Sequence, residues 1–307
     1  MKNEITLKLS GKVKNAFAEG RAVLALESTV LTHGLPYPQN FEVLSRLEQF
    51  CEDCGATPAT IIILDGTAHI GIEQEDVDKL RQKMQDNSAL YKFGRRDIPL
   101  ALCKGYSGGT TVSATMLLAY KAGIKVFATG GIGGVHRGWN LSLDISNDLK
   151  ALTDIPVIVV SAGCKAILDI PATLEYLETS GVPVLGWQTD SFPAFYSRES
   201  GVNIDMVNSA AELARIYGTM LTIDPKPSGI LLANPIPLSA EIPRGQIAQH
   251  IDAAVLAAQN NGITGKSLTP FLLDYLAKCT SGKSVTANLA LLENNVMVGA
   301  AIARELS

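Results

Sequence analysis

The chain of 307 residues lacks an uninterrupted apolar run near the ~20 residues of a membrane-spanning helix. Residues Met1–Glu4 also lack the basic and then apolar layout of a secretory signal. Positive charge is not in excess, because the formal net charge is −4. This balance argues against a broad nucleic-acid-binding surface and leaves phosphate binding to a local pocket. We therefore expect a cytoplasmic protein with neither a membrane nor a nucleic-acid partner.

Cysteine is scarce and irregularly spaced. The five cysteines are Cys51, Cys54, Cys103, Cys164 and Cys279. An odd number at scattered positions does not form a disulfide framework. Cys51 and Cys54 have the spacing of half a zinc site, but no second pair completes it. The sequence therefore predicts free thiols.

Neither common nucleotide-binding motif occurs in its usual context. Residues 277–284 approximate a P-loop, but they follow a helix-like segment rather than a strand. Residues 131–136 fall short of a dinucleotide fingerprint, because His136 occupies the third glycine position. We therefore expect neither an ATP site nor a Rossmann cofactor.

The sequence does contain an alternation of short apolar strands and helical segments along its length. Strands are predicted at Ala22–Leu26, Thr60–Leu64, Ala68–Ile72, Lys125–Ala128, Val157–Val160, Val182–Trp187 and Gly229–Ala233. The longer predicted helices are Asn40–Cys54, Glu73–Met84, Thr110–Ala122, Pro171–Ser180, Ser209–Leu221, Arg244–Asn261, Pro270–Cys279 and Ala287–Arg304, and Ser146 and Ser209 are predicted helix caps. This alternation predicts an α/β fold. Helices and strands lie on both sides of the linker-like stretch Asp224–Ser228, so we predict one domain over residues 1–307.

A glycine-rich loop follows one of these strands. Residues 126–138 run from an apolar strand through four glycines to His136, Arg137 and a fifth glycine, Gly138. Glycine lets successive backbone N–H groups turn toward one ligand, and basic side chains add charge-assisted hydrogen bonds. The loop therefore predicts an anion cradle, with phosphate as the ligand. A tight turn between strand and loop is the alternative.

Lys165 lies just beyond another apolar strand, where open α/β sheets place ligand groups. A partly desolvated lysine amine loses its charge more readily and can then attack a carbonyl or hemiacetal carbon to form a Schiff base. The alternative is an ordinary surface lysine at the start of a helix.

Acidic residues supply two further candidates. Glu27 ends an equally apolar strand and is a candidate general acid, the alternative being a solvated residue at the strand end. Asp144 and Asp148 lie across a helix start and offer oxygen ligands suited to Mg²⁺ or Mn²⁺, although helix caps and surface acids also explain such pairs.

Taken together, these segments resemble the pseudouridine-5′-phosphate glycosidase family, also called indigoidine-synthase-A-like. The resemblance covers nearly the whole chain. It rests on Ala25–Thr29, His33-Gly34, Pro38–Asn40, Arg95–Asp97, Thr110–Val112, the glycine loop through Gly138, Asp144–Ser146, Ala162–Lys165, Ala233–Pro237 and Thr269–Leu273.

The resemblance implies a three-layer α/β/α sandwich with a mixed, mostly parallel central sheet, and a homotrimer. It also implies a carbon–oxygen lyase of the hydro-lyase class that reversibly cleaves pseudouridine 5′-phosphate with water to uracil and ribose 5-phosphate. The resemblance further implies that a divalent cation, usually Mn²⁺, aids this cleavage, with one cation per subunit. A separate kinase would have to supply the substrate.

Roles follow by matching positions. The resemblance implies Lys165 as the nucleophile that forms a Schiff base at C1′, Glu27 as the proton donor and Asp144 as the metal ligand. The implied substrate contacts are Lys92, Val112, Ser146, Asn147, Asp148, Thr129, His136 and Asn288.

Trp139–Leu143 departs from the family pattern, in which smaller or more polar residues are usual, so base recognition is open. Residues 190–208 follow the pattern only loosely. A related C-glycosynthase that joins ribose 5-phosphate to another aromatic acceptor is therefore an alternative. A catalytically idle sugar-phosphate-binding protein is a third, although Glu27, Asp144 and Lys165 are all present.

Overall fold

The computed structural model describes residues 7–34, 37–263 and 268–307, so the N-terminal segment Met1–Glu4 lies outside the described residues. The strands are β1 (Leu7–Leu9), β2 (Val23–Leu26), β3 (Thr57–Leu64), β4 (Thr67–Ile70), β5 (Tyr91–Phe93), β6 (Gly108–Thr110), β7 (Val126–Ala128), β8 (Ile158–Ser161), β9 (Val184–Trp187), β10 (Asp205–Val207) and β11 (Ile230–Ala233). The α-helices are α1 (Gly11–Ala18), α2 (Gln39–Asp53), α3 (Gln74–Gln85), α4 (Ile98–Lys104), α5 (Val112–Lys121), α6 (Trp139–Ser142), α7 (Asn147–Asp154), α8 (Ile170–Thr179), α9 (Ala210–Ile223), α10 (Arg244–Asn260), α11 (Leu268–Cys279) and α12 (Lys283–Glu305).

The chain divides into two compact units. The first comprises Met1–Phe127 with Gly299–Ser307, and the second comprises Ala128–Val298. A single domain over residues 1–307 stays a prediction.

The first unit is built on β3, all of whose residues are buried. Its first half pairs in parallel with β2, and its second half pairs antiparallel with β4 and β6. β1 joins β4 and β5 joins β6, both in parallel. Asp65 and Gly66 form the hairpin turn between β3 and β4, and both residues adopt positive φ angles, as the Asp-Gly pair favours.

The second unit holds a parallel sheet in the order β8-β11-β9-β10. β8 and β11 are buried along their whole length, which explains why both read as continuous apolar runs rather than as alternating patterns. Tyr217 of α9 donates to the carbonyl of Pro156 at 2.6 Å and so fastens this helix to the segment leading into β8.

The α/β class with a mixed, mostly parallel sheet flanked by helices is thus confirmed. Most predicted elements are present with shifts at their ends. The predicted helix start at Thr110 is wrong, because Thr110 belongs to β6 and α5 begins at Val112. β6 pairs with β3, so the hydroxyl of Thr110 can donate to the carbonyl of Ile61 in β3, at 2.7 Å.

Within the described ranges, one helix is long and apolar enough to cross a membrane by length and composition alone, and it is α12. Half of its apolar window is buried in the protein, and the core helix of a soluble protein also passes this test. It is weak evidence for a membrane span.

Candidate active site

Two loops in the second unit lie side by side just beyond strand ends: residues 129–138, after β7, and residues 162–168, after β8. The Lys165 N–H donates to the carbonyl of Ile132 at 3.0 Å, and the Ile132 N–H donates to the carbonyl of Gly163 at 3.1 Å. His136 and Leu168 form an isolated antiparallel β-bridge between the same two loops. Lys165 is therefore held through its backbone by the glycine loop, while its partly buried side chain extends from this scaffold.

Several backbone donors of the glycine loop are engaged within the protein. Four N–H groups donate to protein oxygens: Ile132 to Gly163 O (3.1 Å), Gly133 to Asp148 Oδ2 (2.9 Å), Val135 to Thr173 Oγ1 (3.0 Å) and His136 to Asp144 O (3.0 Å). The Arg137 guanidinium pairs with Asp252 at 2.6 Å. An anion cradle needs such donors to face a ligand, so these four groups are not available to an anion, and the cradle stays a prediction for the rest of the loop.

His136, Asp144 and Lys165 share one electrostatic neighbourhood. Burial lowers the pKa of the His136 imidazole below its ordinary value, the carboxylate of Asp144 opposes this shift, and the ammonium of Lys165 adds to it. All three residues were candidates from the sequence alone, and the fold brings them together. A low pKa keeps His136 neutral near pH 7, where it can act as both donor and acceptor.

The predicted contact segment Ser146–Asp148 sits against the glycine loop. Ser146 caps α7 by accepting the Asp148 N–H at 3.2 Å, as expected from its position. Asp148 is buried, 5% exposed, and accepts the Gly133 N–H. Asn147 is exposed. A Cβ atom on Gly133 would lie 2.2 Å from Ser146 Oγ, so only glycine permits this approach.

Residues 190–208, which sequence reasoning left without a role, include two aromatic residues that pack against Gly131 and Gly163 of the two loops. A Cβ atom on Gly131 would lie 2.6 Å from the ring of Phe195. Gly163 has a φ of +81°, and a Cβ there would lie 2.7 Å from the carbonyl of Pro193 and 2.9 Å from the ring of Phe192. Both rings are buried. Glycine at positions 131 and 163 indicated that another segment approaches the backbone closely there, but it did not identify that segment.

Of two further predicted contacts, Thr129 lies next to α12 and Asn288 lies on this helix. Thr129 is buried, and its carbonyl accepts a hydrogen bond from Asn295 at 2.8 Å. Asn288 passes close to Gly130, where an added Cβ would be 3.4 Å from Asn288 Oδ1. Sequence reasoning missed Asn295, although this polar residue lies on the apolar face of the last helix, and that position was the available signal.

The first unit holds the remaining candidates. Glu27, which is partly buried, follows β2 directly. The next two residues tie it to β6, because Ser28 Oγ accepts the Thr110 N–H at 2.9 Å and Thr29 donates to the Thr110 carbonyl at 2.7 Å.

Two residues after Thr110, Val112 is buried and opens α5. Lys92 lies opposite Gly109 in the β5–β6 ladder. Glu27, Lys92 and Val112 are therefore gathered around the point where β6 leads into α5.

Among the residues that the structure describes, no three His, Cys, Asp or Glu side chains group closely enough to hold a metal ion. Asp144 is partly buried, and Asp148 already accepts a backbone hydrogen bond. Carboxylates and water suit Mg²⁺ and Mn²⁺, and Mg²⁺ keeps several waters and needs only one or two carboxylates. The donor set therefore fits a largely water-bound ion on Asp144 and does not fit a closed protein cage.

Comparisons with known proteins cover nearly the full chain. The family described as "Indigoidine synthase A like protein" matches residues 12–305. A pseudouridine-5′-phosphate glycosidase from Caldanaerobacter subterraneus is 50% identical over 97% of this chain and 96% of its own length. One from Sorangium cellulosum is 48% identical over 98% and 94%.

Two solved structures share the fold. An indigoidine synthase A-like protein from Thermotoga maritima has a TM-score of 0.87 at 35% identity, covering 98% of this chain and 97% of that one. The prealnumycin C-glycosynthase AlnA, in complex with ribulose 5-phosphate, has a TM-score of 0.89 at 35% identity, covering 99% and 97%.

Proposed function

The chain belongs to the indigoidine synthase A-like family, and we propose that it is a pseudouridine-5′-phosphate glycosidase. It would cleave the carbon–carbon bond between uracil and ribose 5-phosphate, reversibly and with water. The observation that carries the proposal is the joint placement of Lys165, His136 and Asp144 beyond the strand ends of the second unit. Full-length relatives that carry this activity in their names support it.

The chemistry requires an amine because the leaving group is carbon. Protonating a base nitrogen, as ordinary nucleoside hydrolysis does, leaves this bond intact. Lys165 Nζ attacks C1′, the C1′–O4′ bond breaks, and O4′ takes a proton as the ribose ring opens. The amine electrons then expel uracil while its C5 is protonated. The resulting iminium is hydrolysed by water, which releases ribose 5-phosphate and the free amine.

Glu27 donates the proton to the ring oxygen in this scheme. Its place directly after β2, with Ser28 and Thr29 fixing the adjoining peptide, supports a carboxyl group held in one position.

Lys92 and the N-terminal turn of α5 bind the phosphate group. The positive end of a helix dipole and a neighbouring ammonium both favour an anion. Val112 opens this helix, and the Thr111 side chain does not cap it.

Asp144 would hold the divalent cation, for which Mn²⁺ is the first choice, one per subunit. When bound, that ion supplies positive charge that offsets negative charge on the substrate. The chain's own contribution is a neutral His136 beside Asp144, which can donate to or accept from a sugar hydroxyl. Ser146, Asn147 and Asp148, with Thr129 and Asn288, complete the proposed substrate contacts.

The same family resemblance supports a cytoplasmic protein that forms a homotrimer. Sedimentation of the purified protein would test the trimeric assembly. A C-glycosynthase that joins ribose 5-phosphate to another aromatic acceptor is the second candidate. It is favoured by the exposed side chains of Trp139 and Leu143 on the turn between His136 and Asp144, and by the likeness to AlnA.

Product identification tests the proposal. Purified protein is incubated with pseudouridine 5′-phosphate, and uracil and ribose 5-phosphate are quantified with and without a chelator. We expect turnover that falls when the chelator removes the cation. Parallel incubations of ribose 5-phosphate with uracil and with unrelated aromatic acceptors separate the two candidates.

Trapping identifies the nucleophile. Borohydride added during turnover should leave a ribose phosphate adduct on Lys165, detected by mass spectrometry. Lys165→Ala should abolish both adduct and turnover, whereas Lys150→Ala, which removes a surface lysine paired with Asp154, should preserve both. Full activity of Lys165→Ala would refute the mechanism.

A further inference from the structure

A buried pair of amide side chains lies behind the glycine loop. Asn234 Nδ2 donates to Asn295 Oδ1 at 2.9 Å, and Asn295 Nδ2 donates to the carbonyl of Thr129 at 2.8 Å. Asn295 is 0% exposed and Asn234 is 2% exposed. Buried polar side chains are retained at a desolvation cost that hydrogen bonds must offset. Asn295 offsets it with one donated and one accepted bond.

The pair connects the carboxyl ends of three strands. Thr129 follows β7, and its N–H donates to the carbonyl of Val160 in β8 at 3.0 Å. Asn234 follows β11, and its N–H donates to the carbonyl of Ser161 at the end of β8 at 2.8 Å. Asn295 on α12 therefore fixes the points from which the residue 129–138 and residue 162–168 loops depart.

The connection from these points to Lys165 is short and hydrogen-bonded throughout. Ser161 Oγ donates to the carbonyl of Gly163 at 3.1 Å, and the Ala162 N–H donates to the carbonyl of Gly130 at 3.0 Å. The next bond in the series joins the Lys165 N–H to the Ile132 carbonyl. A shift at Thr129 or Ser161 is thus passed on to the backbone of Lys165.

We propose that Asn295, acting with Asn234, is a positioning residue for Lys165: it locks the two loops that present the nucleophile in one register. This inference rests on the proposed function for its kinetic consequence. The side-chain amide of Asn295 donates one bond and accepts the other, and neither leucine nor alanine can make either bond. Displacing a reacting group by about 1 Å can lower a rate by about 100-fold.

The chain provides a matched control on the same helix. Asn294, the preceding residue, donates from Nδ2 to the carbonyl of Pro235 at 2.9 Å. It makes the same type of helix-to-loop hydrogen bond beyond β11, but its bond does not reach Thr129. Loss of this bond should affect stability without moving the residue 162–168 loop.

The experiment compares Asn295→Leu and Asn294→Ala in the full-length enzyme. We measure kcat and KM for pseudouridine 5′-phosphate, the melting midpoint, and hydrogen exchange in peptides covering residues 130–136 and 161–168. For Asn295→Leu we expect kcat to fall about 10- to 100-fold with faster exchange in both peptides. For Asn294→Ala we expect kcat and exchange near wild-type values. If Asn295→Leu does not fold, Asn234→Ala, which keeps the Asn295–Thr129 bond, should show the same changes to a smaller degree.

The two readouts separate the outcomes. Unchanged kcat in Asn295→Leu overturns the inference even if the midpoint falls, because the amide pair then serves only stability. An equal loss of kcat in Asn294→Ala overturns it as well. If the wild-type protein does not turn over pseudouridine 5′-phosphate, the proposed function fails. The inference is then decided by exchange in the two peptides, where unchanged rates overturn it and faster rates support it.

Discussion

Gly133→Ala provides a direct test of the packed glycine loop. The added Cβ would lie 2.2 Å from Ser146 Oγ, 2.7 Å from Ser146 Cβ and 2.9 Å from Asp148 Oδ2. Rotating the serine hydroxyl relieves only the first of these contacts. The second involves a Cβ atom fixed to the backbone, so the Ser146 segment has to move away from the loop.

That movement removes two interactions. The Ser146 cap of α7 contributes about 0.5–2 kcal/mol. The Gly133 N–H bond to the Asp148 carboxylate is a hydrogen bond to a charged group, worth about 1.5–3 kcal/mol. We therefore expect a loss of about 2–5 kcal/mol, which at about 2–4 °C per kcal/mol lowers the melting midpoint by about 4–20 °C.

Thermal unfolding followed by circular dichroism measures this shift. Gly218→Ala is the matched control, because Gly218 lies within α9 and an added Cβ meets no atom within 4 Å. It should raise stability by about 0.5–1 kcal/mol. In a Ser146→Gly background, where both clashing serine atoms are gone, the Gly133→Ala change should cost less.

A midpoint within about 2 °C of wild type for Gly133→Ala would refute the reasoning, since the loop would then have room for a side chain. Equal effects of the substitution in the wild-type and Ser146→Gly backgrounds would show that Ser146 is not the obstacle.

Two further predictions concern the neighbourhood of Lys165. Gly163→Ala should lower the melting midpoint and kcat more than Gly181→Ala, measured side by side, because both have positive φ but only Gly163 has a neighbouring carbonyl, at 2.7 Å from the added Cβ. In metal-free protein, NMR titration of His136 should give a pKa below the ordinary value, lower still in Asp144→Asn and higher in Lys165→Met. Because the folded pKa is depressed, the contribution of His136 to stability is present above the unfolded pKa of about 6.5 and is lost as pH falls through the folded pKa. An unchanged His136 pKa in both variants would contradict the electrostatic contact of His136 with Asp144 and Lys165.

Local chemistry in the sequence was enough to predict much of the scaffold. Buried strands such as β8 and β11 read as apolar runs because both faces of a parallel sheet are covered. Ser146 and Ser209 read as helix caps, and each accepts the backbone bond expected of it. These features depend on residues a few positions apart, so a single segment contains the information.

The partners of the glycine loop could not be predicted in the same way. Gly133, Gly134 and Gly131 face side chains that come from other segments of the chain, namely those of Ser146, Thr173 and Phe195. A glycine indicates that a Cβ is not tolerated at its position, but it does not indicate whether the neighbour is a ligand or a side chain. Asn295 was missed for a related reason, because its partners Thr129 and Asn234 are distant in sequence.

The hydrogen-bond partners of the backbone N–H groups distinguish an anion cradle from a packed loop of the same composition. In this chain the N–H groups of Ile132, Gly133, Val135 and His136 are bonded to protein oxygens. These four bonds fix the loop to neighbouring segments of the protein, which fits a role in holding Lys165, the proposed nucleophile, more than a role in wrapping a phosphate. The phosphate is better sought where β6 leads into α5, because Lys92 and the start of that helix provide positive charge there. In the proposed mechanism, the glycines then act on catalysis indirectly, through the position that they impose on Lys165.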